Sequence, residues 1–186
     1  MNVFKKLACL VLVSLNCFPV AAAERPNVVL IVTDNQSEKL LGAYGNSDIK
    51  TPNIDALAKQ GMLFTQAFAA SGVCSPTRAS LMTGLMPSQH GVHNALPSTF
   101  EVDDWNAIEE FRNLPATLDA AGYAMAMIGK YHLGEAESPQ LGFDYWVTFG
   151  TGPTTSFHRV EVIDNGDTDV LAHEPLTDLW TCQAVD

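Results

Sequence analysis

An uninterrupted apolar run near the N-terminus constrains the fold more than any other feature of this sequence. The run is Asn27-Val-Val-Leu-Ile-Val-Thr33, and no polar residue interrupts it between its ends. A strand without polar alternation is buried on both faces, which is typical of the centre of a parallel sheet. The sequence therefore predicts such a strand over residues 27–33. It would end in Asp34-Asn35, at the edge of the sheet where open α/β proteins bind ligands.

Helical and extended patterns alternate along the rest of the chain. Pro near the start and Gly near the end predict helices over residues 51–61 and 114–121. Apolar, strand-like segments are predicted at 62–69, 123–129, 143–149 and 159–163, with a turn at Asn165-Gly166-Asp167. This alternation predicts an α/β fold with a mainly parallel central sheet flanked by helices. Residues 97–110 are acidic and predict a solvated connection, with a substrate-facing lid as the alternative.

The first 23 residues have the pattern of an export signal. Lys5 and Lys6 precede an apolar stretch, and Ala21-Ala22-Ala23 offers a small-residue cleavage site. The apolar stretch is too short and too interrupted by polar residues to span a bilayer comfortably. We therefore expect a mature chain that begins at residue 24 and is periplasmic or secreted.

Loss of this signal changes the charge and the cysteine count. Without Lys5 and Lys6, 8 of the 10 Lys and Arg residues remain against all 21 Asp and Glu residues. Such an acidic chain is a poor binder of nucleic acids or anionic membranes. The mature part keeps Cys74 and Cys182, too few cysteines for a disulfide framework.

The segment Cys74-Ser-Pro-Thr-Arg78-Ala-Ser-Leu-Met-Thr-Gly84 combines a potential nucleophile with an anion-binding side chain. Pro76 fits the first turn of a helix that Gly84 can end, and Arg78 lies four residues after Cys74 on the same face. Free amides and the positive end of the helix dipole would lie beside Cys74. Cys74 could instead be a buried structural cysteine. It could also be a phosphatase thiolate, although three residues separate it from Arg78 where the phosphate loops of those enzymes have five.

Three segments together resemble the type I sulfatases of the alkaline-phosphatase-like superfamily. Cys74 to Gly84 resembles their signature, in which the cysteine is oxidised to the aldehyde formylglycine. Gly129-Lys130-Tyr131-His132-Leu133-Gly134 resembles their Gly-Lys-x-His-Leu-Gly segment, and Thr33-Asp34-Asn35 resembles a strand end that carries two acidic metal ligands. In the third segment Asn35 replaces an Asp, which removes one negative charge. The resemblance runs from about Arg25 to at least Phe149.

The resemblance implies hydrolysis of a sulfate ester. It implies a metal, Ca²⁺ or alternatively Mg²⁺, that activates a hydroxyl of the hydrated aldehyde to attack sulfur. Charge on the sulfuryl oxygens would be stabilised by Arg78, Lys130 and the metal, and His132 would orient or deprotonate a hydroxyl. The implied catalytic residues are Cys74, Arg78, Lys130 and His132, the metal ligands are Asp34, Asn35 and Cys74, and the substrate-binding residues are Lys130 and His132. His90 and His93 are further candidates for substrate contact, because they lie in the loop after the helix that begins at Cys74. The implied partners are a sulfated small molecule or glycan and a formylglycine-generating or sulfatase-maturating enzyme.

The resemblance covers only the N-terminal part of a sulfatase, so residues 24–186 are expected to be a truncated catalytic domain. We expect this part alone to be inactive, because further metal ligands would lie downstream. We also expect poor solubility, because a helical stripe of Leu176, Leu179 and Trp180 and at least one strand edge would be open to association.

A phosphate or phosphonate ester hydrolase of the same fold, or a non-catalytic glycan-binding paralogue, remains an alternative. The chemical state of Cys74 distinguishes these alternatives from a sulfatase, because a permanent thiol at this position argues against sulfatase chemistry.

Overall fold

The structure is a computed structural model that describes residues 25–97, 104–150, 156–170 and 175–185. The chain divides into two units, one that ends at Gln36 and one that begins at Ser37. The export signal predicted over residues 1–23 lies outside the described residues. Among those that are described, no helix is both long and apolar enough to cross a bilayer.

The two apolar segments expected to form early strands are not strands. Residues 25–36 of the first unit have no regular helix or strand, and Val29 is 82% exposed. Residues 62–69 of the second unit likewise lack strand structure, and Phe68 is 88% exposed. An apolar segment becomes a buried strand only where neighbouring strands satisfy its backbone groups. No strand in the described parts of the chain pairs with either segment, so both predictions are wrong.

Local sequence signals place the helices correctly. Gly84 ends the signature helix in the left-handed region at φ 70°, and the side chain of Asn113 caps another helix by accepting from the Ala116 amide at 2.9 Å. The helices predicted over 51–61 and 114–121 and the helix after Cys74 are thus confirmed. The five described α-helices are α1 Pro52–Gln60, α2 Cys74–Thr83, α3 Pro87–His90, α4 Leu114–Ala120 and α5 Leu176–Val185.

Four strands form one mixed sheet. They are β1 Ala126–Ile128, β2 Tyr145–Thr148, β3 Glu161–Asp164 and β4 Asp167–Val170, in that spatial order. β1 and β2 are parallel, while β3 pairs antiparallel with both β2 and β4. Asn165 and Gly166 join β3 to β4 with φ angles of 49° and 97°, which confirms the predicted turn as a tight hairpin. The fold class is α/β as predicted, and the described sheet is mixed because β3 runs antiparallel to both of its neighbours.

The two faces of the sheet carry separate apolar clusters, because successive residues of a strand point to opposite sides. Trp146 of β2 is fully buried on one face, where the Tyr131 ring meets it edge-on at 4.8 Å between centroids. Its Nε1 donates to the carbonyl oxygen of Ala136 at 2.7 Å. The neighbouring Val147 packs on the other face with Val162.

Helix α5 covers the face of the sheet that carries Val147. Leu176 and Leu179 join the cluster there and are only 4% and 7% exposed, and Trp180 packs against it. The expectation that this stripe is open to association is therefore wrong. The sequence pattern identified the apolar face of the helix, but it did not show that the sheet itself covers that face.

Part of the acidic connection at 97–110 is core rather than solvated loop. Asn106 and Ile108 are buried, and residues 105–107 pair with 133–135 through two backbone bonds. The Ala107 amide donates to the Leu133 carbonyl at 2.8 Å, and the Glu135 amide donates to the Trp105 carbonyl at 2.9 Å. The prediction of a solvated connection is wrong for this part, and residues 98–103 lie outside the described range.

Replacing Gly134 by Ala should destabilise the second unit by about 1–3 kcal/mol, because overpacking a tight contact forces the backbone apart. An added Cβ would collide with the Trp105 carbonyl oxygen and lie 2.9 Å from the Asn106 Cα. Urea unfolding measures the change. Gly72→Ala is the matched control, since no atom lies within 4 Å of its added Cβ. Equal stabilities of the two variants would contradict the tight contact.

Candidate active site

Helix α2 begins at Cys74 itself, with Val73 as the capping residue. Cys74 is half-buried with a free thiol, while Ser75 and Pro76 behind it are buried. The first intrahelical bond runs from the Thr77 amide to the Val73 carbonyl at 3.2 Å. The amides of the first turn precede this bond and have no partner within the helix. The arrangement predicted from the sequence, a cysteine at the positive end of a helix, is confirmed.

Arg78 connects this helix to the segment that follows β1. Its Nη1 donates to the Lys130 carbonyl oxygen at 2.5 Å, across 52 residues of sequence. Gly129 makes the turn into this segment at φ 106°, and its amide donates to the Val147 carbonyl at 2.8 Å. A guanidinium has five N–H donors, and this bond uses one of them. The structure thus brings the Arg78 side chain to the backbone of Lys130, another of the predicted site residues.

His132 is buried two residues further on and is held by a backbone contact. Its Nε2 lies 3.1 Å from the Leu96 carbonyl oxygen. A carbonyl oxygen only accepts, so Nε2 carries the proton, and Nδ1 is the basic atom of the neutral ring. The backbone of His132 adopts a left-handed conformation at φ 57°, which is uncommon for a residue other than glycine. Strained residues of this kind cluster at functional sites.

His90 ties α3 to α2 through one ring nitrogen and bonds to the backbone just after α3 through the other. The Val92 amide donates to Nδ1 at 3.1 Å, so Nε2 carries the proton and faces the Ser80 hydroxyl at 2.9 Å. Burial, and secondarily the charge of nearby His93, lower the pKa of His90. Its neutral ring therefore has a structural function between the two helices. His93 is exposed, and substrate contact by either histidine stays a prediction.

Asp34 and Asn35 belong to the first unit, where both are exposed and Asn35 has a φ of 57°. Carboxylate and amide oxygens are ligands of the kind that Ca²⁺ and Mg²⁺ prefer, but Ca²⁺ takes six to eight of them. Within the described ranges, no three His, Cys, Asp or Glu side chains are grouped as a metal site requires. These two residues suit a hard cation without completing its site. The predicted ligand set of Asp34, Asn35 and Cys74 stays a prediction.

Two parts of the site carry no signal in the sequence. Ser75, the second residue of the signature segment, accepts a hydrogen bond from the Leu96 amide at 3.1 Å. Asn106 donates to the Tyr131 hydroxyl beneath the Lys130–His132 segment, and burial raises the pKa of Tyr131. The bonds of Leu96 come from its backbone, which no pattern of side chains reveals. The buried Asn106 lies in a stretch whose composition indicated a loop.

Comparison of the chain with known proteins finds similarity to sulfatases. The family model described as Sulfatase matches residues 26–181. The chain is 36% identical over 146 residues to N-acetylgalactosamine-6-sulfatase of Rattus norvegicus, which covers 73% of this chain and 28% of that protein. It is 37% identical over 124 residues to N-acetylglucosamine-6-O-sulfatase of Bacteroides thetaiotaomicron, which covers 66% of this chain and 20% of that protein. The chain therefore spans less than a third of the length of either relative.

A solved structure extends the similarity to three dimensions. BT4656, in complex with its substrate D-glucosamine-2-N,6-O-disulfate, superimposes with a TM-score of 0.72 at 30% sequence identity. The match covers 87% of this chain and 30% of that structure.

Proposed function

The chain belongs to the sulfatase family, and on this premise we propose that it carries the nucleophile and part of the anion site of a sulfuric ester hydrolase. The observation that supports this proposal most is the contact between Arg78 and the Lys130 carbonyl. It joins the helix that begins at Cys74 to the segment that carries Lys130 and His132. A nucleophile, two cations and a histidine thereby belong to one connected assembly, as transfer of a sulfuryl group requires.

Sulfatases generally use a formylglycine and a metal, and we propose that Cys74 becomes the formylglycine of this protein. The hydrated aldehyde would supply the hydroxyl that attacks sulfur. Arg78 and the first amides of α2 would stabilise the negative charge that develops on the sulfuryl oxygens, together with the Lys130 ammonium. His132 would accept or hold a proton at Nδ1, because Nε2 already donates to Leu96.

We also propose that Asp34 and Asn35 contribute oxygen ligands to a Ca²⁺ site, with Mg²⁺ as the alternative. Asp34→Ala should weaken Ca²⁺ binding at least tenfold, because it removes the only formal charge of the pair. Asn35→Asp should tighten binding by adding a second carboxylate. Calorimetric Ca²⁺ titration of the chelated protein measures both changes.

Asp48→Ala is the control for this experiment, since Asp48 is an exposed aspartate of the second unit. Its Ca²⁺ affinity should equal that of the wild type. If Asp34→Ala bound Ca²⁺ as tightly as the control, Asp34 would not be a ligand.

The substrate we propose is a 6-O-sulfated amino sugar or a glycan that contains one. Two relatives are named as 6-sulfatases of N-acetylhexosamines, and the solved relative holds a glucosamine that carries a 6-O-sulfate. The acidic net charge of the chain makes the local Arg78 and Lys130 cations important for attracting such an anion. We place the protein in the periplasm or outside the cell, as its N-terminal sequence predicts, with a formylglycine-generating or sulfatase-maturating enzyme as a partner.

Sulfate release from a defined panel tests this function. The full-length protein, co-produced with a maturating enzyme, would be assayed with the 6-sulfates of N-acetylglucosamine and N-acetylgalactosamine and with an aryl sulfate. Matched phosphate and phosphonate monoesters test the alternative hydrolase chemistry. Preferential turnover of the sugar sulfates is the expected result. Faster phosphonate turnover, or glycan binding without any turnover, would replace the proposal by one of its two alternatives.

The same assay of residues 24–186 alone tests the expected truncation. We expect no sulfate release from this part, because Asp34, Asn35 and residue 74 provide too few ligands for a divalent cation. Turnover near that of the full-length protein would show that residues 24–186 build a complete site.

A further inference from the structure

We propose that Ser75 is a positioning residue that fixes the ring orientation and the tautomer of His132 through the backbone of Leu96. The effect of Ser75 on the His132 ring follows from the contacts in this chain. An effect of Ser75 on catalysis rests, in addition, on the proposed sulfatase function. Ser75 itself need not contact substrate, since its hydroxyl binds Leu96.

Leu96 is bonded at both of its backbone polar groups to the candidate site. Its amide donates to the Ser75 Oγ at 3.1 Å, and its carbonyl oxygen lies 3.1 Å from the His132 Nε2. These partners are 21 and 36 residues away in sequence. One residue thus links the first turn of α2 to the histidine that follows β1, in parallel with the direct link from Arg78 to Lys130.

Burial makes the Ser75 hydroxyl difficult to replace by water. Ser75 has no exposed surface, and His132 is only 8% exposed. Without the hydroxyl, the half-buried Leu96 amide would lose the acceptor that the structure gives it, and an N–H that loses its partner inside the protein favours a backbone arrangement that restores one. The side chain of Leu96 packs against the core cluster around Trp146. We therefore expect the local backbone to rotate while the unit stays folded.

The consequence for His132 follows from the chemistry of the imidazole ring. While the Leu96 carbonyl accepts from Nε2, only the Nε2–H tautomer of the neutral ring keeps this bond, and Nδ1 holds the lone pair. Once the carbonyl turns away, the ring can rotate and both tautomers become accessible. The His132 lone pair would then alternate between Nδ1 and Nε2, and the ring would be in the geometry that proton transfer needs for only part of the time.

The spectroscopic test uses the full chain labelled with ¹⁵N at histidine, with His132 assigned by comparison with His132→Asn. The wild type should show a pyrrole-like Nε2 with a slowly exchanging proton and a pyridine-like Nδ1. Ser75→Ala should bring the two ¹⁵N shifts closer together and accelerate exchange of the Nε2 proton at least tenfold. Ser71→Ala is the matched control: the Ser71 hydroxyl accepts from the Val73 amide at 3.2 Å, next to α2 but with no bond to Leu96.

The wild-type spectrum alone can overturn the proposal, even if Ser75→Ala fails to fold. An Nδ1–H tautomer, or an Nε2 proton that exchanges as fast as in a free histidine, would show that Leu96 does not hold the ring. An unchanged His132 spectrum in folded Ser75→Ala would show that Ser75 does not act on it.

The kinetic test uses the matured full-length protein. Ser75→Ala should lower kcat at least tenfold and leave KM within twofold, whereas Ser71→Ala should change neither. Ser75→Thr keeps the hydroxyl and should restore most of kcat. If the spectra behave as expected but the wild type releases no sulfate, the proposed function fails and the positioning of His132 stands. An equal loss of kcat in both alanine variants would indicate a general effect on the start of α2.

Discussion

Replacing Cys74 by Ala should reduce sulfate release by at least about a thousandfold, since removal of the nucleophile of a covalent mechanism eliminates its first chemical step. The fold should survive, because Cys74 is only half-buried at the first position of α2. Cys182→Ala is the control, because Cys182 is the other free cysteine described and is exposed on α5. Its activity should equal that of the wild type.

The same mechanism predicts that residue 74 is an aldehyde in the matured protein. Peptide mass spectrometry with hydrazide labelling should find an aldehyde at position 74 of the matured wild type and none at Cys182. If a preparation that turned over a sulfate ester contained only unmodified Cys74, the formylglycine mechanism would have to be abandoned. A folded Cys74→Ala protein with wild-type turnover would exclude residue 74 as the nucleophile altogether.

Trp146→Ala should lower the free energy of unfolding by about 3–5 kcal/mol, the usual cost of removing a buried aromatic side chain. Trp146 is fully buried, contacts the rings of Tyr131 and Phe143, and donates its Nε1 hydrogen to the Ala136 carbonyl. The variant leaves a cavity and an unpaired carbonyl oxygen beneath the segment that carries Lys130. Urea unfolding followed by circular dichroism measures the loss.

Phe157→Ala provides the matched control for Trp146, because Phe157 is 66% exposed. Its removal should change the free energy of unfolding by less than about 0.5 kcal/mol. Trp146→Phe should fall between the two, since it keeps an aromatic ring but loses the hydrogen bond. Similar losses for Trp146→Ala and Phe157→Ala would mean that the cluster around Trp146 is not the core.

Helices could be predicted from the sequence because their start and stop signals are local. Pro near the first turn and Gly after the last one define α1 and α2 within a residue or two. The strand predicted over 27–33 failed because strand formation depends on neighbours that lie elsewhere in the chain. The same apolar composition that fits a buried strand is also compatible with the exposed, irregular segment that the structure describes.

In the candidate site too, some features could be predicted from the sequence and others could not. A side-chain pattern identified Cys74 and Arg78, and a family resemblance added Lys130 and His132. The contacts that connect these residues could not be predicted, because Arg78 and His132 both bind backbone carbonyl oxygens. Any residue type can supply a carbonyl, so the sequence contains no signal for Leu96. The tautomer of His90 likewise follows from the Val92 amide and not from a motif.

Burial within the signature has a consequence for the timing of maturation. In the folded chain Ser75 and Pro76 are fully enclosed, and Arg78 is bonded to the Lys130 carbonyl. An enzyme that recognises this stretch as an extended peptide can therefore reach its side chains only before the chain folds. If Cys74 is oxidised as we propose, its oxidation and the folding of the chain would compete in time, and the yield of active protein would depend on which is faster. A chain that folded first would then keep its thiol, and overproduction without enough maturating enzyme would give a folded but inert population.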